Sequence, residues 1–308
     1  MADTDVLAQH PSHRSALAAR GFVHRLAPTQ VVLTEVRPTG PDEFRAAVRW
    51  PRVHTAEGVP VDARHDPLFV AETLRQLGIY LPLRFYGLAA ESRLLIEELR
   101  FALEPAAQRP PGPEMPRSSE IVCVARAVRR NAGGSAKEHM RSLEMTVRLK
   151  ADGREFAHAE VVARVLYPAA YRAVRRSTAD GIERRYEDTT KSLMPVDAAR
   201  VGAVRPRDVL VAVDSRGAVR IAPADPFHPF FHDHPSDHIT GMTLIGALQQ
   251  TAALQANEPR LRLRSCTLRA LRFTEPSPPP AVEIGTAGRF EIRQRGTVTA
   301  TGEAHFDF

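Results

Sequence analysis

Two segments of the chain are apolar on almost every side, and both are flanked by stretches in which apolar and polar residues alternate. The first segment runs from Pro67 to Leu81 and follows Asp66, a residue type that caps helices well. The second runs from Gly241 to Leu254. A helix that lacks a polar face must be buried. The pattern therefore predicts two buried helices, one in each half of the chain.

The alternating stretches are typical of antiparallel strands with one dry face. In the first half they read QVVLTEV, EFRAAVRW, SLEMTVRLK and HAEVVARVLY, and in the second half DVLVAVDS, LRLRSCTLRALRF and GRFEIRQRGTVTATGEAHFDF. One buried helix wrapped by an antiparallel sheet is the hotdog arrangement. The sequence thus predicts an α+β fold, a double hotdog built from two tandem repeats.

The same order of features occurs in both halves, which indicates an internal duplication. Leu99-Arg100-Phe101 is matched with Leu271-Arg272-Phe273, and a proline-rich turn follows each. The segment between the halves is charged and poor in apolar residues, as linkers are. The predicted organisation is a flexible tail over 1–20, a first repeat over 21–174, a linker over 175–200 and a second repeat over 201–308.

The amino-acid composition indicates which kinds of molecule the protein binds. The formal net charge is +6, and nearly all of the positive charge is arginine. This balance favours acidic partners, such as phosphorylated metabolites or an acidic carrier protein, and no nucleic-acid-binding motif is recognisable. No apolar run suits a membrane span or a signal peptide, and Cys123 and Cys266 resemble reduced core residues. We therefore expect a cytoplasmic protein that binds neither nucleic acid nor membrane.

A histidine-rich loop, FHPFFHDHPSDHITG, precedes the second apolar segment. His228 and His232 lie beside prolines or aromatic residues, and we expect them to be ordinary loop residues. His234 and His238 have the spacing H-x-x-x-H, but a loop that contains proline does not place both rings on one face as a helix would. We therefore expect no metal at this loop.

Six stretches together resemble one known family, the A-factor biosynthesis (AfsA-type) hotdog proteins. They are FVHR at 22–25, VVLTEVR at 31–37, RWPRVH at 49–54, HDPLFVAETLRQ at 65–76, YPAAYRAVRR at 167–176 and FHDHPSDHITGM at 231–242. The family is associated with making γ-butyrolactone signalling molecules in secondary metabolism.

The resemblance implies an acyltransferase. A β-ketoacyl group would leave an acyl-carrier-protein or acyl-CoA thioester and join the hydroxyl of dihydroxyacetone phosphate or a similar phosphorylated acceptor. The ester would then close to a butenolide precursor. This reaction needs no bound cofactor, and the sequence shows no nucleotide, flavin or metal motif.

Hotdog dehydratases place a histidine of one protomer opposite an acid of the other, and the loop resembles their motif. In a double hotdog, His234 and His238 of the second half would face Glu72 of the first, so these three are the candidate catalytic residues. A buried carboxylate needs a partner or has a raised pKa. With a raised pKa, Glu72 could act as a general base.

Candidate substrate contacts lie around these residues. Arg75 either binds phosphate or forms an ion pair with Glu72, one helical turn away. Gly241, at the start of the second helix, offers backbone N–H groups to an oxyanion. The second helix has Gly246 and Gln249 at the positions that match Glu72 and Arg75 of the first. Gly246 either makes room for an acyl chain or reflects evolutionary drift of the second repeat.

Gln76 and Gln250 occupy matching positions in the two helices. Both are candidate substrate contacts, but the favoured interpretation is that each amide holds its helix to a neighbouring loop. Two other functions stay open: a hotdog dehydratase or thioesterase that acts on carrier-bound acyl chains, and a binder of acyl chains or lactones without activity. A homodimer is compatible with the fold, since hotdog sheets often pair edge to edge.

Overall fold

The computed structural model describes residues 21–50, 65–104, 121–131, 140–179, 192–232 and 236–307. Three α-helices both begin and end in these ranges: α1 (Pro67–Phe85), α2 (Pro168–Ala179) and α3 (Gly241–Ala256). The strands of the first half are β1 (Leu33–Gly40), β2 (Glu43–Val48), β3 (Arg93–Leu103), β4 (Ile121–Asn131), β5 (Met140–Ala151) and β6 (Arg154–Leu166). Those of the second half are β7 (Met194–Pro195), β8 (Val211–Val213), β9 (Val219–Ile221), β10 (Arg262–Ala270), β11 (Ala281–Ile284), β12 (Arg289–Gln294) and β13 (Thr297–Asp307).

The described strands form one 13-stranded sheet in the order β1-β2-β4-β5-β6-β3-β10-β13-β12-β11-β9-β8-β7. The two halves meet where β3 pairs antiparallel with β10, with Leu99 opposite Leu268. Helix α1 packs against β3, β5 and β6, α3 packs against β8, β9 and β11, and the two helices contact each other. This is the predicted double hotdog, with one central helix per repeat.

Both predicted helices are confirmed, and both are buried. The Asp66 carboxylate accepts a hydrogen bond from the backbone N–H of Leu68 (2.8 Å), and the Thr240 hydroxyl caps α3 in the same way. Leu74, Leu77 and Leu81 are fully buried. Each such side chain contributes about 1.5–3 kcal/mol through removal of apolar surface from water.

The predicted match between the two Leu-Arg-Phe segments is wrong. Leu99 and Phe101 are buried within β3, whereas β10 ends at Ala270 and Leu271 is 56% exposed. Across the β3–β10 pair, the first segment faces Cys266-Thr267-Leu268. The inward positions of β10 are already occupied by Leu263, Cys266 and Leu268, so the later apolar residues fall outside the strand.

The boundaries between the repeats also differ from those predicted. Helix α2 crosses the predicted end of the first repeat at residue 174, and Met194–Pro195 already pairs with β8, ahead of the predicted start at 201. The predicted tail and residues 180–191 of the linker lie outside the described residues. Cys266 is buried and free, as expected. No helix in the described ranges has the length and apolarity that a membrane span requires.

Candidate active site

Glu72 lies in the second turn of α1 with its side chain fully buried and surrounded by donors. Arg25 approaches through Nε (2.9 Å to Oε1) and Nη2 (2.7 Å to Oε2). Arg75 approaches through Nε (2.8 Å to Oε2) and Nη2 (2.9 Å to Oε1). The amide of Gln76 donates to Oε1 at 2.5 Å. Five N–H groups therefore contact the two carboxylate oxygens, and no lone pair of the carboxylate is left without a donor.

Burial alone raises the pKa of Glu72, but the charges and hydrogen bonds of Arg75 and Arg25 outweigh burial and lower it from 4.5 to about 2. A carboxylate this acidic and this fully bonded is a poor proton acceptor at neutral pH. Of the two alternatives left open for Glu72, the paired carboxylate is the one observed, and the general-base role that depended on a raised pKa has no support in this geometry. Of the two interpretations of Arg75, the ion pair with Glu72 is the one observed.

Gln76 and Gln250 do the same structural work in the two repeats, as favoured from the sequence. The Gln76 amide donates to the Gln30 carbonyl (2.7 Å) and accepts from the Val32 N–H (3.0 Å). The Gln250 amide donates to the Asp208 carbonyl (2.9 Å) and accepts from the N–H of Leu210 (2.7 Å). Each amide thus bridges residues i and i+2 of the loop beside its helix. Their use as substrate contacts has no support in this geometry.

Gly246 does not open space for an acyl chain. A Cβ at this position would come within 2.7 Å of Leu210 Cδ1 and 2.8 Å of Phe231 Cε1, so these two side chains fill the place that a longer residue would take. Gln249 is nearly buried, and its side-chain oxygen accepts from the Leu263 N–H at 3.3 Å. The second helix therefore packs as core where the first carries a charged cluster.

Two of the loop histidines have structural partners. His228 is fully buried, and its Nε2 lies 3.0 Å from Oδ1 of Asp208, while its Nδ1 accepts from the Phe230 N–H (3.2 Å). Because Nδ1 accepts, Nε2 carries the proton and donates to Asp208. His232 Nε2 lies 3.1 Å from the Thr243 hydroxyl. His234 lies outside the described residues, so its predicted role stays a prediction.

His238 forms a carboxylate–histidine pair at the entry to α3. Its Nδ1 lies 2.8 Å from Oδ1 of Asp237, and no described residue bonds to its Nε2. The side chain is 28% exposed. Burial raises the pKa of Asp237, but hydrogen bonds from His238 and Tyr171 and the charge of Arg175 outweigh it and hold the pKa below its usual range. An ionised Asp237 fixes the proton on Nδ1, so that Nε2 presents a lone pair.

Helix α2 of the first half supports this pair. The Tyr171 hydroxyl donates to both carboxylate oxygens of Asp237 (2.7 and 2.8 Å). Arg175 lies 3.1 Å from Asp237 and forms two hydrogen bonds with Glu275 (2.7 and 3.0 Å). Its guanidinium also lies over the ring of Phe273, which contacts the His238 ring edge-on. Burial and the bond to Asp237 raise the pKa of Tyr171, so the phenol stays a donor at neutral pH.

The loop of the second repeat reaches the charged cluster of the first. The Phe230 ring contacts Phe69 of α1 edge-on, with centroids 5.3 Å apart, and the Arg25 guanidinium lies 5.9 Å from the Phe230 centroid. These contacts place Phe230, within the histidine-rich loop of the second half, beside the first helix. The composite site in which His234 and His238 face Glu72 stays a prediction. Among the described residues, no hydrogen bond or ion pair joins His238 to Glu72.

Several features fall outside the predicted set. Sequence reasoning missed Arg25, Tyr171, Arg175 and Asp237 as site residues. All four lie in the stretches FVHR, YPAAYRAVRR and FHDHPSDHITGM that carry the family resemblance, which was the available signal. Within the described ranges, no three histidine, cysteine or acidic residues are grouped as metal ligands. A cleft of about 540 Å³ lies at the far end of α3, and no predicted site residue lines it.

Comparison with known proteins gives relatives along most of the chain. A protein from Streptomyces virginiae named 2-oxo-3-(phosphooxy)propyl 3-oxoalkanoate synthase is 28% identical over 255 residues, which cover 82% of this chain and 80% of the relative. The Streptomyces coelicolor protein of the same name is 28% identical over 76% of this chain and 70% of its own length. A solved acyl-ACP thioesterase from Bacteroides thetaiotaomicron is similar with a TM-score of 0.46 and 12% identity, over 85% of this chain and 98% of that one.

The family model that describes the A-factor biosynthesis hotdog domain matches the chain twice, over residues 7–167 and 185–305. The two matches correspond to the two halves of the sheet, and each contains one central helix. With its paired repeats and its histidine loop, the chain belongs to the A-factor biosynthesis hotdog family.

Proposed function

We propose that this protein transfers a 3-oxoacyl group from a thioester to the hydroxyl of dihydroxyacetone phosphate or a closely related phosphorylated acceptor. The observation that carries the proposal is the Asp237–His238 pair at the entry to α3, where a partly exposed imidazole is oriented for proton transfer. The relatives named as synthases of such an ester support the choice of donor and acceptor.

In the proposed step, Nε2 of His238 takes the proton of the acceptor hydroxyl while that oxygen attacks the thioester carbonyl carbon. The tetrahedral intermediate collapses, the C–S bond breaks, and the proton passes from His238 to the leaving thiolate. Asp237 keeps Nδ1 protonated and stabilises the imidazolium that forms in between. The products are an ester and a free thiol, so no oxidant, reductant or metal is required.

Glu72 has a positioning role in this proposal. Its carboxylate holds Arg25 and Arg75 together, and the side chain of Arg75 keeps 16% exposure. Nη1 of Arg75 forms no hydrogen bond with a described residue. This N–H group is available to the phosphate of the acceptor, so we propose that Arg75 binds the phosphate in addition to its ion pair with Glu72. We propose His234 as a second polar contact in the same loop, and the N-terminus of α3 at Gly241 as the oxyanion site.

The test is mass spectrometry of the purified protein incubated with a 3-oxoacyl thioester, with and without dihydroxyacetone phosphate. The expected result is a phosphorylated ester, or the butenolide phosphate derived from it, in the sample that contains the acceptor and in no other. Loss of the thioester that does not depend on the acceptor would instead identify a thioesterase or dehydratase. Saturable binding without turnover would identify a non-catalytic binder.

A further inference from the structure

The surface beside the Asp237–His238 pair is basic. Helix α2 turns Tyr171 and Arg175 toward the pair, and its opposite face is exposed. That face carries Arg172, Val174 and Arg176 among alanines, and the helix contains no acidic residue. The helix therefore joins the candidate catalytic pair on one side to a cationic, partly apolar surface on the other.

Neighbouring segments extend this surface. The Arg93 guanidinium lies 5.9 Å from the centroid of the Tyr171 ring. Phe273 contacts Tyr171 and Arg175, and the exposed Leu271 and Arg272 directly precede it. We call the resulting surface the α2 patch, defined as Arg93, Arg172, Val174, Arg176, Leu271 and Arg272.

The arginines of the patch differ from Arg100 and Arg164 on the open face of the sheet. Arg100 pairs there with Glu98 and Glu160, and Arg164 pairs with Glu97. In the part of the chain that the structure describes, no carboxylate forms an ion pair with Arg172, Arg176 or Arg272. Cations that form no ion pair with a carboxylate keep a positive potential that attracts an acidic partner and speeds its association.

We propose that the α2 patch is the docking surface for an acidic acyl-carrier protein that delivers the thioester to His238. The inference rests on the proposed acyl transfer and names the source of the donor. Two properties of the patch favour a carrier over a free coenzyme A thioester. Its cations are spread over three segments (α2, the start of β3 and the turn that follows β10), as suits a protein partner, and exposed Val174 and Leu271 lie among them.

The first experiment measures binding, which does not depend on turnover. Fluorescence anisotropy gives the Kd of a labelled holo acyl-carrier protein of the type II class for the wild-type chain and for Arg172→Glu/Arg176→Glu. The matched control is Arg37→Glu/Arg45→Glu, since these exposed arginines face each other across β1 and β2 at the outer edge of the sheet. Both double variants change the net charge equally.

At low salt, the α2 variant is expected to raise the Kd roughly tenfold or more, and the control less than about twofold. The milder Arg172→Ala/Arg272→Ala variant is expected to act in the same direction, which keeps the test valid if the charge reversal disturbs α2. Circular dichroism melting checks the fold of each variant. Equal weakening by the control, or unchanged binding by both α2 variants, would overturn the proposal.

Kinetics then separates the sources of the thioester. The α2 variants are expected to raise KM for the carrier-bound 3-oxoacyl thioester and to leave KM for the N-acetylcysteamine thioester unchanged. An equal rise in KM for the coenzyme A thioester would assign the patch to the coenzyme's phosphates and overturn carrier docking. A wild-type chain that transfers nothing from any donor would refute the proposed function, while the Kd comparison would still decide the docking surface.

Discussion

Replacing Glu72 with glutamine removes the negative charge of a buried carboxylate that is held by two arginines, and it changes the shape of the side chain little. Arg25, whose side chain is 3% exposed, then loses the opposite charge of Glu72 while it stays buried. Breaking a buried ion pair in this way costs about 3–5 kcal/mol of the free energy of unfolding. The pKa gives an independent figure. A fall of the pKa from 4.5 to about 2 corresponds to roughly 3 kcal/mol, because a change of one unit in pKa is worth about 1.4 kcal/mol.

The sign of the pH dependence follows from the direction of that pKa change. Because the carboxylate is more acidic in the folded chain, its contribution is complete above pH 4.5 and is lost as the pH falls toward about 2. The assay is urea unfolding followed by circular dichroism, at neutral pH and at several acidic values. The deficit of Glu72→Gln relative to wild type is expected to be full at pH 7 and to shrink across that acidic window.

Glu98→Gln is the matched control. Glu98 is also held by two arginines, Arg100 and Arg269, but it lies on the open face of the sheet, where ion pairs contribute about 1 kcal/mol or less. The two variants should therefore differ by several kcal/mol in their free energies of unfolding. If Glu72→Gln were as mild as Glu98→Gln, the charged cluster would not be a stabilising feature of α1, and the reasoning from burial would fail.

Two further predictions concern α3 and the pair at its entry. Gly246→Ala is expected to destabilise the chain by about 1–3 kcal/mol, since its methyl group would collide with Leu210 and Phe231; thermal melting checks this. Gly78→Ala in α1, where Met145 is 4.0 Å away, is expected instead to stabilise by up to about 1 kcal/mol, and equal melting shifts for the two variants would contradict the packing argument. Asp237→Asn is expected to lower kcat roughly a hundredfold or more, because an asparagine does not fix the proton on Nδ1 of His238. Initial rates measure that effect, and an unchanged kcat would remove Asp237 from the mechanism.

Periodicity predicted the two central helices because a helix that is buried on all sides shows this in its own residues. The roles of Gln76 and Gln250 were also predictable, since the same amide recurs at the same helical position and each bonds to a nearby loop. These features depend on local pattern and on the duplication. Both features are present in each repeat because each repeat buries one central helix against its sheet and a neighbouring loop.

The partners of the charged groups were not predictable in the same way. Arg25 lies 47 residues before Glu72, and Tyr171 lies 66 residues before Asp237, so only the folded chain brings each pair together. Sequence reasoning left Glu72 with a choice between a paired carboxylate and a raised pKa. The folded chain decides this, because two arginines and an amide converge on one carboxylate.

The register error at Leu271 has a different cause. The Leu-Arg-Phe sequence recurs, but equivalence between strands depends on which residues face inward. In β10 the last buried inward residue is Leu268, which lies before the second Leu-Arg-Phe segment. Similar letters in two repeats therefore do not ensure equivalent places when the strands differ in length, as β3 and β10 do.

Proton transfer by His238 is the central step of the proposed reaction, and one measurement tests it most directly. It is the single-turnover rate of ester formation from a 3-oxoacyl thioester and dihydroxyacetone phosphate, compared between His238→Gln and His305→Gln. His305 is the control because it pairs with Glu303 at 3.0 Å on the exposed surface of β13. We predict a loss of roughly a hundredfold or more for His238→Gln, with His305→Gln at the wild-type rate. A folded His238→Gln protein that forms the ester at the wild-type rate would contradict the central claim.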